Sequence, residues 1–353
     1  MDRIRIALVG CGAVAQNGYL PALSRVPEVC CVSLVDVHKE SAEGLAKKWG
    51  IPSATDDYSA TLEEVDAVLL AVPNHLHAPM TLEALERKRA VMCEKPLGRT
   101  KEEVQRMVDA ARHAGVPLIA GMTFRQYAPL QQIRRQFPWD ALGRVKKVLG
   151  SHGYPLDWPL ESPYLFDRAK VGGGVLVSEA VHLVDALFWV LSLSDASVRA
   201  YWDDGESGVE AEAKAQLSLQ LPVQRERVPC ELQASRARRL DNNLQVIGEK
   251  ATLIIPLSSR DVPEIHDGAS VKCAFEPAAA PQNGALPFAM QLKSFAERIR
   301  GFPADCADGE SQLRVLGLIE SCYAARTPLS FPWEVHQRWP PEGNGRTGEP
   351  ERL

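Results

Sequence analysis

Short apolar runs recur through the first third of the chain, separated by amphipathic stretches. The runs are residues 4–10 (IRIALVG), 30–36 (CCVSLVD), 66–73 (DAVLLAVP), 90–96 (AVMCEKP) and 117–122 (PLIAGM). Each is rich in β-branched residues and closed by Gly, Pro or Asp, the pattern of a strand buried on both faces of a parallel sheet. Helical patterning fills residues 41–50, 78–88 and 100–115. The last stretch opens with Thr100 and the acids Glu102 and Glu103, and it closes at Gly115 before Pro117. Those are the start and stop signals of a helix. Strands alternating with helices predict a doubly wound parallel sheet covered on both faces.

From about residue 145 the pattern changes. Residues 144–154, 210–221, 227–235, 243–256 and 269–277 read as strands, and 243–256 reads as a hairpin with Gly248 in its turn. Few helices separate them, so an open, mainly antiparallel sheet is expected. Amphipathic helices follow at 286–301 and 309–326. Beyond 337 the chain is rich in Pro, Gly and charge and reads as a loose tail. The expected organisation is therefore an α/β dinucleotide-binding domain (1–123), a second α/β domain with a large open sheet (124–337), and a tail (338–353).

Composition narrows the functional classes. With 353 residues, 45% hydrophobic and 24% charged, the chain is long enough for two domains of soluble type. A net charge of -5 argues against nucleic acid or an anionic membrane as partner. No apolar run has the length of a bilayer span, and Met1 leads almost directly into the first strand with no secretory pattern. Eight scattered cysteines without a CxxC pair suit reduced thiols in a cytoplasm better than a disulfide framework or a zinc cluster.

The chemistry begins at Gly10-Cys11-Gly12-Ala13-Val14-Ala15, a GxGxxA turn between the first strand and the first helix. Gly10 permits the tight turn, Gly12 lets phosphates approach the backbone, and Ala15 keeps helix and sheet close. The free N–H groups at Ala13 and Val14 and the helix dipole favour a pyrophosphate there. Asp36 ends the second strand 24 residues after Gly12, where a carboxylate binds both ribose hydroxyls. It would repel a 2′-phosphate, so NAD is expected over NADP, although His38 and Lys39 lie nearby.

Several further motifs occur in order: AVPNHLHAPM (71–80), VMCEKPLG (91–98), LGRVKKVLG (142–150), GGGVLVSEAVHLVD (172–185), LQVIGEKATLII (244–255) and GESQLRVLGLIESCYAA (309–325). With VGCGAVA (9–15) and LVD (34–36), the chain resembles the Gfo/Idh/MocA oxidoreductases, named after glucose–fructose oxidoreductase and inositol dehydrogenase, over about residues 3–332. The resemblance implies a Rossmann domain, an open-sheet second domain, and a homodimer or homotetramer built through that sheet. It implies hydride transfer between a nicotinamide and a carbinol carbon of a sugar or cyclitol. It assigns Lys95 and His182 as the catalytic lysine and histidine, with a Lys95–Pro96 bond that is often cis in relatives. Two other activities stay open: an enzyme that retains NAD through transient oxidation with no net redox change, and a non-catalytic dinucleotide-binding regulator.

One position departs from the family pattern. Many relatives carry Asp four residues before the histidine, whereas this chain has Ser178. Glu179, three residues before His182, either replaces that carboxylate across one helix face or is an ordinary solvated acid. Asp185 is expected to hold the helix. Pro73, Asn74, His77 and Glu94 are expected along the nicotinamide side. Arg125, Tyr154, Trp158, Tyr164 and Arg168 are expected around a polyol pocket, together with Lys95, Ser178 and His182. His75 and His77 form an HxH pair that β-like spacing would put on one face, but no third metal ligand is evident.

Overall fold

A computed structural model describes residues 2–156, 163–205, 209–268, 270–275 and 284–329. Trp158 and the expected tail lie outside the described residues. Six strands near the N-terminus run parallel: β1 Ile4–Val9, β2 Val29–Val35, β3 Ser53–Thr55, β4 Ala67–Leu70, β5 Ala90–Cys93 and β6 Leu118–Ala120. Their order across the sheet is β6-β5-β4-β1-β2-β3. This is the doubly wound order whose reversal, between β1 and β4, opens a crevice at the carboxyl ends of the strands. The apolar runs at β4 and β5 are buried at every position, as a sheet covered on both sides requires.

Two features differ from expectation and one agrees. The run at 66–73 stops as a strand at Leu70, because the next helix starts early, at Asn74, and continues to Glu86. The short strand β3 carries no strong apolar signal, and all three of its residues are half-buried. The helix Lys101–Ala114 has the expected caps: the Thr100 side chain accepts from Glu103 N, and Gly115 takes the left-handed conformation at φ 69°.

The second sheet has nine strands: β7 Val145–Gly153, β8 Asp195–Asp203, β9 Glu212–Gln220, β10 Val228–Ser235, β11 Asn243–Gly248, β12 Thr252–Pro256, β13 Glu264–His266, β14 Val271–Cys273 and, after an intervening strand β15 at Ala307–Asp308, β16 Arg326–Pro328. Their order is β14-β13-β12-β11-β7-β10-β9-β8-β16, antiparallel except at β7/β10 and β8/β16. The hairpin around Gly248 is β11 paired with β12. One face packs on the apolar helix Ala180–Val190, through buried residues that include Leu183, Leu187, Leu217, Leu232 and Leu244. Alternating exposed positions, such as Pro229 and Glu231 on β10, leave the other face open.

A boundary at residue 123 does not divide the packing. β15 returns to the first sheet and pairs antiparallel with β6. The helix Ala285–Ile299 shares an apolar cluster with β1 through Leu292, Phe295 and Ala296. The C-terminal segment thus ties the two sheets together around the crevice.

Candidate active site

The glycine turn sits at the switch point. Gly10 has φ +91°, and a Cβ there would come within 2.3 Å of the Ala71 carbonyl oxygen on the neighbouring strand end. Only glycine allows both the backbone conformation and this approach. The helix that follows runs as a π turn over Ala15–Tyr19 and continues through Leu20–Leu23. Gly12 and Ala13 are half-buried and Val14 is exposed, so the backbone at the turn faces the crevice. The half-buried Asp36 carboxylate accepts from Cys11 N at 2.7 Å and from His38 N at 2.9 Å. Each oxygen keeps a lone pair for a ribose hydroxyl. Burial, and secondarily Asp36, pushes the Cys11 thiol up to about 12, so it is inert as a nucleophile.

Several residues expected on the nicotinamide side serve the scaffold. His77 is fully buried, with Nδ1 2.7 Å from the Pro96 carbonyl and Nε2 2.8 Å from the Val72 carbonyl. It fastens the loop after β5 to the loop after β4, and neither nitrogen faces the crevice unengaged. Because Asn74 opens a helix, His75 and His77 do not share one face as a strand would have placed them. Among the described residues no group of three His, Cys, Asp or Glu side chains is arranged to hold a metal. Glu94 accepts from Tyr19 Oη at 2.5 Å and from its neighbour's Lys95 N at 3.1 Å, and Gln291 Nε2 donates to the same Tyr19 hydroxyl at 2.9 Å. Burial raises its carboxyl pKa, against the opposing pull of Tyr19 and Lys95. Asn74 Nδ2 donates to the Val171 carbonyl at 3.0 Å, bridging the two halves. Pro73 caps the helix that Asn74 begins.

The two side chains expected to form the catalytic pair lie on adjoining segments. Lys95 follows β5, its bond to Pro96 is cis, and its Nζ donates to the Ser178 carbonyl at 2.5 Å. His182 lies one turn further on, buried in the helix Ala180–Val190. Its ring stacks on Phe124 with centroids 4.3 Å apart and planes 13° from parallel, and its Nδ1 is buried without a partner. Burial, then the Lys95 ammonium, then His152 hold its proton affinity well below the usual 6.5. The imidazole is therefore neutral at physiological pH.

Glu179 sits at the break between the short helix Val175–Ser178 and the next one, with φ −115°, and its carbonyl accepts from His182 N at 3.3 Å. Its charge acts on His152 and Tyr164. His152, on β7, escaped the sequence reading. It is buried, its own pKa is lowered mainly by burial, and its ring meets Phe124 edge-on at 5.4 Å and Tyr154 at 5.7 Å. The strand alternation in residues 144–154 was the available signal, since it puts position 152 on the face of Val148. Arg236, just beyond β10, was also missed. It is buried, and its Nη2 donates to Ser178 Oγ at 2.9 Å.

Arg125 does not line a polyol pocket. Its guanidinium is clamped onto Asp185 at 2.6 and 2.8 Å, with Ser311 Oγ and the Cys306 carbonyl beside it, and Gln312 also donates to Asp185. This buried ion pair holds the His182 helix, the role expected of Asp185. Arg168 lies over the Tyr323 ring at 4.9 Å and 3.8 Å from Glu210, so it too braces the scaffold. Tyr154 is exposed, with Arg239 over its ring and His152 at its edge. Tyr164 is half-buried near Glu179.

Residues 4–122 match the family model described as an oxidoreductase family with an NAD-binding Rossmann fold, and residues 130–254 match the GFO/IDH/MocA C-terminal domain. The chain belongs to the GFO/IDH/MocA family of oxidoreductases. It is 32% identical over 194 residues to D-glucoside 3-dehydrogenase of Escherichia coli (strain K12), a match covering 53% of this chain and 54% of that enzyme. It is 25% identical over 334 residues to an uncharacterized oxidoreductase of Rhizobium meliloti, covering 91% of this chain and 97% of the relative. Its fold resembles the aldose-aldose oxidoreductase from Caulobacter crescentus complexed with glycerol, with a TM-score of 0.79, 24% identity, and coverage of 92% and 97%. A levoglucosan dehydrogenase bound to NADH and levoglucosan gives a TM-score of 0.78 at 17% identity, with coverage of 92% and 97%.

Proposed function

We infer that the protein transfers a hydride between NAD and a carbinol carbon of a sugar or cyclitol. One observation carries this reading: Lys95, 87 positions before His182 in the sequence, has its Nζ on the Ser178 carbonyl, one helical turn before His182. His182 accepts the proton of the reacting hydroxyl, and Phe124 holds the imidazole plane while it does so. Lys95, anchored on the Ser178 carbonyl, donates to the same oxygen and stabilises the developing alkoxide. When bound, the nicotinamide supplies the hydride acceptor or donor.

The residues at the switch point fit a dinucleotide. Gly10 lets the turn pack against the Ala71 carbonyl at φ +91°, and Asp36 retains acceptors for both ribose hydroxyls. The Asp36 charge favours NAD over NADP. The names of the relatives, a D-glucoside 3-dehydrogenase and a levoglucosan dehydrogenase, support a sugar-like substrate. Assembly as a homodimer or homotetramer through the open face of the second sheet, and residence in the cytoplasm, belong to the same reading.

The test is titration of the protein with NAD and a panel of sugars and cyclitols while the absorbance of reduced cofactor is followed. Accumulating reduced cofactor supports net oxidation. Product without reduced cofactor indicates a retained-NAD reaction, and NAD binding without turnover, unchanged by Lys95→Ala, indicates a regulator.

A further inference from the structure

The fold neutralises its other deeply buried arginine with care. Arg125, 5% exposed, has a two-pronged carboxylate partner in Asp185. Arg236, 8% exposed, has none among the described residues: its side chain donates to the neutral Ser178 hydroxyl, and its Nε is buried without a partner. It forms no ion pair with any carboxylate among the described residues, and Glu212, across the strand ladder from Ser235, is engaged with Arg238 and the Ser235 hydroxyl. A guanidinium withdrawn from water and left without a counter-charge is costly, and the cost falls away when an anion arrives.

Ser178 places this arginine in the active site. One residue holds both cations, Lys95 through its carbonyl and Arg236 through its hydroxyl. An aspartate at 178 would have met the guanidinium from within the protein. The serine leaves that interaction to the ligand. Lys95 and Arg236 thus bring two cations to Ser178, beside the aromatic rings of Phe124 and Tyr154 that flank His152.

We propose that Arg236 binds the carboxylate of an acidic sugar, of uronate or aldonate type, while Lys95 holds the reacting hydroxyl. This rests on the hydride-transfer reading for the placement of the sugar. A planar carboxylate matches the guanidinium fork, and Lys95, a point charge already tied to the reacting oxygen, is not needed for it.

The experiment uses matched pairs, D-glucose with D-glucuronate and D-galactose with D-galacturonate, plus glucose 6-phosphate. Binding to the NADH-loaded full-length protein is measured by calorimetry, and NAD reduction is followed in parallel. The carboxylate member of each pair is expected to bind more tightly by about 30- to 100-fold, the range of a charge-assisted hydrogen-bonded pair. Arg236→Gln is expected to bring that ratio to within about threefold, and Arg236→Lys to retain part of it. Ser178→Asp, which gives Arg236 an internal partner, is expected to lower the ratio without removing the arginine, so the proposal does not depend on one variant folding. A wild-type ratio near one, absence of carboxylate binding, a preference for the phosphate, or a ratio unmoved by Arg236→Gln and Ser178→Asp overturns it. Reduction of NAD by neutral sugars with no carboxylate preference sinks this proposal and leaves hydride transfer standing. Carboxylate binding that depends on Arg236, without reduced cofactor from any sugar, does the reverse.

Discussion

The two walls of the crevice are built in different ways. The dinucleotide wall is local: Gly10, Cys11, Gly12 and Asp36 lie within 27 consecutive residues, and their geometry follows from one βαβ turn. The substrate wall is assembled from Lys95, Phe124, His152, Ser178, His182 and Arg236, contributed by both sheets and the helices between them. A local device depends on backbone conformation, and an assembled one depends on packing. Lesions in the two should therefore fail in different ways.

The largest separation is expected from His182→Asn and Lys95→Met. Removing a general base or an alkoxide donor should lower kcat/KM by about 10²–10⁴-fold. Neither side chain touches the glycine turn, so the dissociation constant for NADH should stay within about threefold. Steady-state kinetics alongside fluorescence titration with NADH checks both halves. Loss of NADH affinity in step with activity would show that the walls are not separable.

Next comes Arg125→Met. Breaking a fully buried ion pair leaves Asp185 charged and alone, at a cost of about 3–5 kcal/mol. Denaturant unfolding should show that loss, and the double variant with Asp185→Leu should recover part of it. If both single variants are near neutral, the clamp does not support the His182 helix, and substrate-wall geometry has another origin.

The same contrast explains what could be read from sequence. The parallel sheet was legible because β4 and β5 are continuous apolar runs, and the glycine turn because its residues are contiguous. Lys95 and His182 were legible through family motifs, not through any local rule. Arg125 was misassigned because sequence shows a polar residue after β6 but not the carboxylate 60 positions away that captures it. Glu179 carried two readings because position 179 falls where one short helix ends and the next begins, and spacing alone does not fix a side chain there. His152 and Arg236 carry no motif; strand register and a hydroxyl from another helix bring them in. Asp195–Asp203 was passed over as a strand because its half-exposed alternation gives a weak apolar signal.

On the dinucleotide wall, Gly10→Ala is the matching lesion. The added Cβ meets a backbone carbonyl at 2.3 Å and the backbone is held at φ +91°, so the turn must shift. The strain is of order 1–3 kcal/mol. NADH affinity should fall about 10- to 100-fold, with substrate-wall kinetics at saturating cofactor changed far less. Unchanged affinity would mean that the turn does not receive the pyrophosphate.

The smallest effect concerns pH, and it is confined to the substrate wall. His182 is buried with its proton affinity below the usual 6.5, while in the unfolded chain it titrates normally. Between those two values the unfolded state binds a proton that the native state does not, so stability falls as pH drops below about 6.5 and is fully present above it. The slope for one such group approaches about 1.4 kcal/mol per pH unit. His152 and His77 are shifted the same way by burial and add to the wild-type slope. His182→Asn removes only one contribution, so urea unfolding between pH 7.5 and 5 should show the variant losing stability less steeply, by up to about 1 kcal/mol per unit below 6.5. Parallel curves would mean that His182 takes up its proton at the same pH folded as unfolded, and that burial does not depress its proton affinity.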